Sequence, residues 1–130
     1  MGVDCVAAIN GKKPFDLVIE HVRIVNVFTE QILEGSVAIC GDTIAYVGEL
    51  DFPYTAKKTI DGKGRYAISG LIDAHMHFES SMMTPPHFIE TVLSFGTTTV
   101  AADPHEIGNV FGLEGIRALT EAALGHREIK

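Results

Sequence analysis

From residue 69 onward the apolar residues follow one order: strand, helix, strand, helix. Leu71 to Phe78 reads as a buried strand. Thr84-Pro85-Pro86 opens a helix, with Thr84 as N-cap and Pro85 at the first helical position. Phe88, Val92 and Phe95 recur at helical spacing, and Gly96 stops the helix. Thr97 to Ala102 is a second strand, rich in β-branched residues. A loop over Asp103 to Gly112 leads to a second helix marked by Leu113, Ile116, Leu119 and Ala123, which ends near Gly125. This order predicts two parallel strands joined by a crossover helix. Two such units do not close a fold, because buried parallel strands take neighbours on both sides. The chain has 130 residues, too few for a complete (β/α)₈ barrel of roughly 250. The expectation is therefore the N-terminal part of a larger protein.

Residues 1–65 follow another pattern, that of short strands joined by turns. Leu17, Ile19, Val22, Ile24, Val25 and Val27 mark one or two strands, with an irregularity near Glu20-His21. Ser36 to Cys40 and Thr43 to Val47 flank Gly41-Asp42, a hairpin signal. Lys57 to Ile60 and Tyr66 to Ile68 flank a second turn, Asp61 to Gly64. This half is expected to be a small antiparallel β unit. The chain shows no internal repeat and no low-complexity segment.

Ten Lys and Arg against 17 Asp and Glu give a net charge of −7. That argues against a nucleic-acid backbone as partner, since no cationic surface stands out to displace counterions. It leaves a small nucleobase open. The longest uncharged run, Thr91 to Ala102, has 12 residues, short of the roughly 20 of a membrane span. The start of the chain lacks the basic and apolar segments of a secretory signal. Cys5 and Cys40 cannot make a disulfide framework and read as free thiols in a reducing cytoplasm.

Asp73-Ala74-His75-Met76-His77-Phe78-Glu79 is the sharpest chemical feature. On an extended strand Asp73, His75, His77 and Glu79 share one face. Two residues of strand separate the histidine Cα atoms by about 6.6–6.8 Å. Imidazoles at that spacing can converge on one metal ion. On the triplet alone, two core or surface histidines are the default reading. Four ionisable groups on one face of an apolar strand reverse it, because burying them without a partner or a metal is costly. Asp103-Pro104-His105-Glu106 follows the second strand and so faces the same rim. It could bind metal, orient a ligand histidine or contact substrate, or it could simply turn the chain.

The run Ile68 to His77 resembles the first barrel strand of the amidohydrolase superfamily, with Ser69 where the superfamily often has Pro. Glu79 to Pro86, Gly96 to Val100, Ala102 to Val110 and Gly112 to Ile116 resemble the adenine deaminase family of the bacterial and archaeal type. The resemblance is close over 68–117 and weak before 65. It implies an α/β fold: the small antiparallel β unit over 1–65, then the first two β/α units of an incomplete (β/α)₈ barrel over 66–130. It implies hydrolytic deamination of adenine to hypoxanthine and ammonia, in purine salvage or catabolism. By position, His75 and His77 match the first metal-ligand pair. Glu79, Ser81, Asp103, His105 and Glu106 match family motif positions, as substrate or supporting residues. The bridging carboxylate, the other histidine ligands and the catalytic acid–base residue are expected beyond Lys130. The implied cofactor is a divalent metal, manganese or iron, with zinc an option. Such an ion lowers the pKa of bound water towards 7, and a carboxylate relays protons. The implied partner is a small molecule, adenine, with no nucleic acid and no membrane. The complete enzyme is expected to be a cytoplasmic homo-oligomer, and the 130-residue segment alone to be inactive. Two alternatives stay open: another amidohydrolase of dihydroorotase or imidazolonase type, and a non-catalytic interaction module.

Overall fold

The structure is a computed structural model that describes residues 3–125. It divides into two units, Met1–Ser69 and Gly70–Lys130.

The first unit opens with a helix that the sequence reading did not include, α1 (Val3–Ile9). Cys5 and Ala8 lie one turn apart on it, and both are buried. That i, i+3 spacing was the available signal. The strands follow: β1 (Leu17–Asn26), β2 (Gln31–Cys40), β3 (Thr43–Gly48), β4 (Thr59–Asp61) and β5 (Tyr66–Ala67). β1–β2 and β2–β3 are antiparallel. The β2–β3 hairpin turns at Gly41, whose φ of 59° suits a residue without Cβ.

The expected irregularity in β1 is a register shift between Ile19 and Val22, where His21 takes φ 53°. The far side of β1 differs from the expected antiparallel unit. β4 and β5 do not pair with each other across the turn at 61–64. Each pairs parallel to β1, β4 beside Val18–Glu20 and β5 beside Arg23–Ile24. They form one edge interrupted where β1 bulges. There the Gly62 and Gly64 amides donate to the Glu20 and His21 carbonyls. The unit has its own core of Cys5, Ala8, Phe15, Val18, Ala38 and Cys40.

The second unit holds β6 (Leu71–Met76), a 3₁₀ turn (Glu79–Ser81), α2 (Pro85–Ser94), β7 (Thr97–Ala102) and α3 (His105–Leu124). β6 and β7 are parallel, as the crossover order requires. Three expectations change. First, β6 stops at Met76, not Phe78, and Glu79 begins the 3₁₀ turn, so it is not on the strand face of His75. Phe78 has αR dihedrals, and the Ser81 hydroxyl donates to its carbonyl at 2.6 Å, which curls the chain. Second, the strand is not buried: Leu71 and Ile72 are 49% and 69% exposed, with β7 as the one strand neighbour among the described residues. On α2 the buried residues are Pro85 and Ile89, whereas Phe95 is exposed. Third, the loop after β7 is short. Residues 105–111 are helical, and Gly112 (φ 60°, ψ −150°) kinks α3 before 113–124. That backbone region is open essentially to glycine alone. No described helix is long and apolar enough to cross a membrane.

Candidate metal centre

Parallel pairing puts the C-terminal ends of β6 and β7 at one edge. Met76 is in register with Ala102, and the Asp103 amide donates to the Met76 carbonyl at 2.9 Å. The residues that leave the two strands are therefore neighbours although 26 positions apart.

His75 and His77 converge there. Their Nε2 atoms are 3.1 Å apart, and the rings stand edge to face. His77 Nδ1 lies 2.8 Å from the Asp103 carbonyl oxygen. A carbonyl can only accept, so Nδ1 carries the proton and the Nε2 lone pair is free as a ligand. Two nitrogens bound to one ion at 2.0–2.1 Å, with an angle between octahedral and tetrahedral, stand about 2.9–3.4 Å apart. The observed 3.1 Å falls inside that span. The donor set of the pair thus fits a transition-metal ion. An Asp103 carboxylate oxygen completes a group with these two nitrogens, all within 4.8 Å of one another. Asp73 Oδ1 accepts from the His75 amide at 3.2 Å, which ties that carboxylate to the strand.

His105 and Glu106 are the first two residues of α3. The His105 ring stacks edge to face on His77, with centroids 4.7 Å apart. Its Nδ1 meets Asp103 Oδ2 at 3.1 Å. The carboxylate accepts, so His105 Nδ1 carries the proton of that contact. Donor atoms of His77, His105 and Glu106 form a second group, also within 4.8 Å. One imidazole nitrogen serves one ion, so His77 Nε2 cannot satisfy both groups at once. Since it already faces His75 Nε2, His105 and Glu106 stand beside the His75–His77 pair as polar groups.

Glu79 and Ser80 reach across to the same segment. Glu79 Oε1 accepts from the Ile107 amide at 2.8 Å, and the Ser80 hydroxyl donates to Glu106 Oε1 at 2.7 Å. Ser81 is not brought to the site. Its hydroxyl bonds the Phe78 carbonyl and accepts from the Met83 amide at 3.2 Å, within its own turn. Ser80 was missing from the sequence reading. A 3₁₀ turn in place of extended strand is what directs it to Glu106, and adjacent serines carry no signal of which one crosses.

Residues 66–127 match the Amidohydrolase family. Over that stretch the chain is similar to this family of hydrolases. Among its relatives are adenine deaminases. The one from Kosmotoga olearia is 46% identical over 123 residues, covering 95% of this chain and 21% of its own length. That from Thermosipho africanus is 49% identical over 115 residues, covering 88% of this chain and 20% of its own. The chain thus spans about a fifth of the length of these relatives. A solved D-aminoacylase, described as having a binuclear metal center, superposes with a TM-score of 0.52 at 30% identity. The match covers 67% of this chain and 18% of that one.

Proposed function

We propose that the complete protein is an adenine deaminase, which hydrolyses adenine to hypoxanthine and ammonia. The similarity to adenine deaminases along 88–95% of the chain carries this reading. In the reaction a water oxygen bonds to C6 of the purine, the C6–N bond breaks, and the exocyclic nitrogen leaves as ammonia. His75 and His77 hold a divalent ion, with manganese or iron proposed and zinc the other candidate. Such an ion supplies Lewis-acid activation of water at neutral pH. Asp103 keeps His77 in the tautomer that presents Nε2, through its backbone carbonyl, and orients His105 through its carboxylate. His105 and Glu106 offer an imidazole and a carboxylate at the rim for a purine edge. The binuclear centre described for D-aminoacylase supports the metal assignment. The activity belongs to purine salvage or catabolism, and two free thiols, Cys5 and Cys40, suit a cytoplasmic setting.

The deciding experiment assays the purified complete protein, with manganese, iron or zinc, against adenine, dihydroorotate and imidazolonepropionate. Hypoxanthine and ammonia from adenine alone are expected. Turnover of either other substrate without adenine would replace this reading by another amidohydrolase activity.

A further inference from the structure

α3 begins without a cap of its own. Its N-cap residue is Pro104, which makes no side-chain cap hydrogen bond. Proline offers no side-chain oxygen, so the first amides of the helix need another acceptor. The acceptor for Ile107 comes from 28 residues upstream: Glu79 Oε1, at 2.8 Å. The other oxygen, Glu79 Oε2, is buried and has no hydrogen-bond partner among the described residues. A buried acceptor left unpaired lowers stability, so stability alone is a poor reason for a carboxylate here. What the contact does supply is position. Ile107 follows Glu106 directly and lies two residues after His105. Fixing its amide fixes the helical turn that carries both.

We infer that Glu79 is a positioning residue: by accepting from the Ile107 amide it clasps the first turn of α3, and so holds His105 and Glu106 against the His75–His77 pair. The inference rests on the reading of this site as a metal-dependent deaminase centre. Two further ties run the same way, Ser80 to Glu106 and His77 to the Asp103 carbonyl. Of the three, the Glu79 contact alone reaches a backbone amide inside α3. Its loss frees the turn itself, whereas loss of the Ser80 contact frees one side chain. The donor is neutral, so an amide oxygen at the same place can still accept from it, more weakly than a carboxylate oxygen.

The test uses Glu79→Ala and Glu79→Gln in the complete protein. Hydrogen exchange at the Ile107 amide, metal content and adenine kcat/KM are measured together. Glu79→Ala should speed Ile107 exchange and lower kcat/KM by about tenfold or more, at unchanged metal content. Glu79→Gln keeps an acceptor oxygen and should return both towards the parent. In a Glu106→Gln background, Glu79→Ala should cost little more, because it acts through that turn. If Glu79→Ala does not fold, Glu79→Asp replaces it, since its shorter arm cannot span the same distance. Unchanged exchange at Ile107 in the shortened variant would overturn the clasp. So would a Glu79→Gln protein with slow exchange and a rate as poor as Glu79→Ala, for then the charge acts directly. If the parent does not deaminate adenine, the functional reading fails. The exchange result still decides the clasp.

Discussion

Phe15, Val18 and Ala38 in the first unit are fully buried, while Ile72, Phe95, Val110 and Leu113 in the second are each about 70% exposed or more. The two units are similar in length and both contain sheets, so size does not explain the contrast. Topology does. In the first unit β1 has neighbours on both sides, and α1 packs on β2 and β3, so one sheet face is closed within the unit. In the second, β6 and β7 have each other alone among the described strands, and a parallel sheet is stable when covered on both faces. The lesson is a division of labour. The first unit has the self-contained core, and the second carries the candidate metal centre on a scaffold with many of its large apolar side chains exposed.

The largest expected effect tests the chemical half of that contrast. His75→Ala in the complete protein should lower bound metal and adenine kcat/KM together, the latter by more than about 100-fold. Thermal unfolding of the first unit should not move. Parent-level metal and rate would remove His75 from the site.

A pair of core substitutions tests the other half. In the 130-residue chain, Phe15→Ala should destabilise the first unit by about 3–5 kcal/mol, because a fully buried ring leaves a cavity. Phe95→Ala should shift unfolding by less than about 0.5 kcal/mol, as an exposed side chain away from special features does. Equal costs, read from urea titrations, would erase the distinction.

The kink in α3 gives an intermediate effect. Gly112→Ala forces a Cβ into φ 60°, ψ −150° and should cost about 1–3 kcal/mol. Far-UV circular dichroism with thermal melting would show whether the helix straightens instead.

The smallest effect is electrostatic and confined to the first unit. Lys57, together with the Gly41 amide, holds the Asp16 carboxyl below its ordinary value, and the Lys63 amide with His21 does the same for Asp61. A depressed carboxyl stabilises the fold above its unfolded pKa and loses that contribution as pH falls through the folded value. The first unit should therefore weaken below about pH 4. Asp16→Asn should flatten that acid limb slightly, since exposed pairs contribute little. An acid limb unchanged in shape would show that the Lys57 pair does not act in solution.

Local chemistry was enough for much of this molecule. Gly41-Asp42 between β-branched runs announced the β2–β3 hairpin, Pro85 and Gly96 bounded α2, and the strand–helix–strand order required β6 and β7 to be parallel. These signals lie within a few residues of what they decide, so the sequence carries them openly. It also gave the His75–His77 pair, because a two-residue repeat puts both rings on one side. Three matters needed the folded chain. β4 and β5 pair with β1 along the side that β2 leaves open, and no local pattern names a partner some 40 residues away. His105 and Glu106 start a helix, and the glycine that interrupts it is Gly112; a glycine marks a permitted break but not which side of it is helical. Glu79 meets the Ile107 amide and Ser80 meets Glu106 because parallel pairing brings the ends of β6 and β7 together. The residue types were visible from the start. Their distances were not, because a contact across 26 or 28 positions is set by strand register and helix packing.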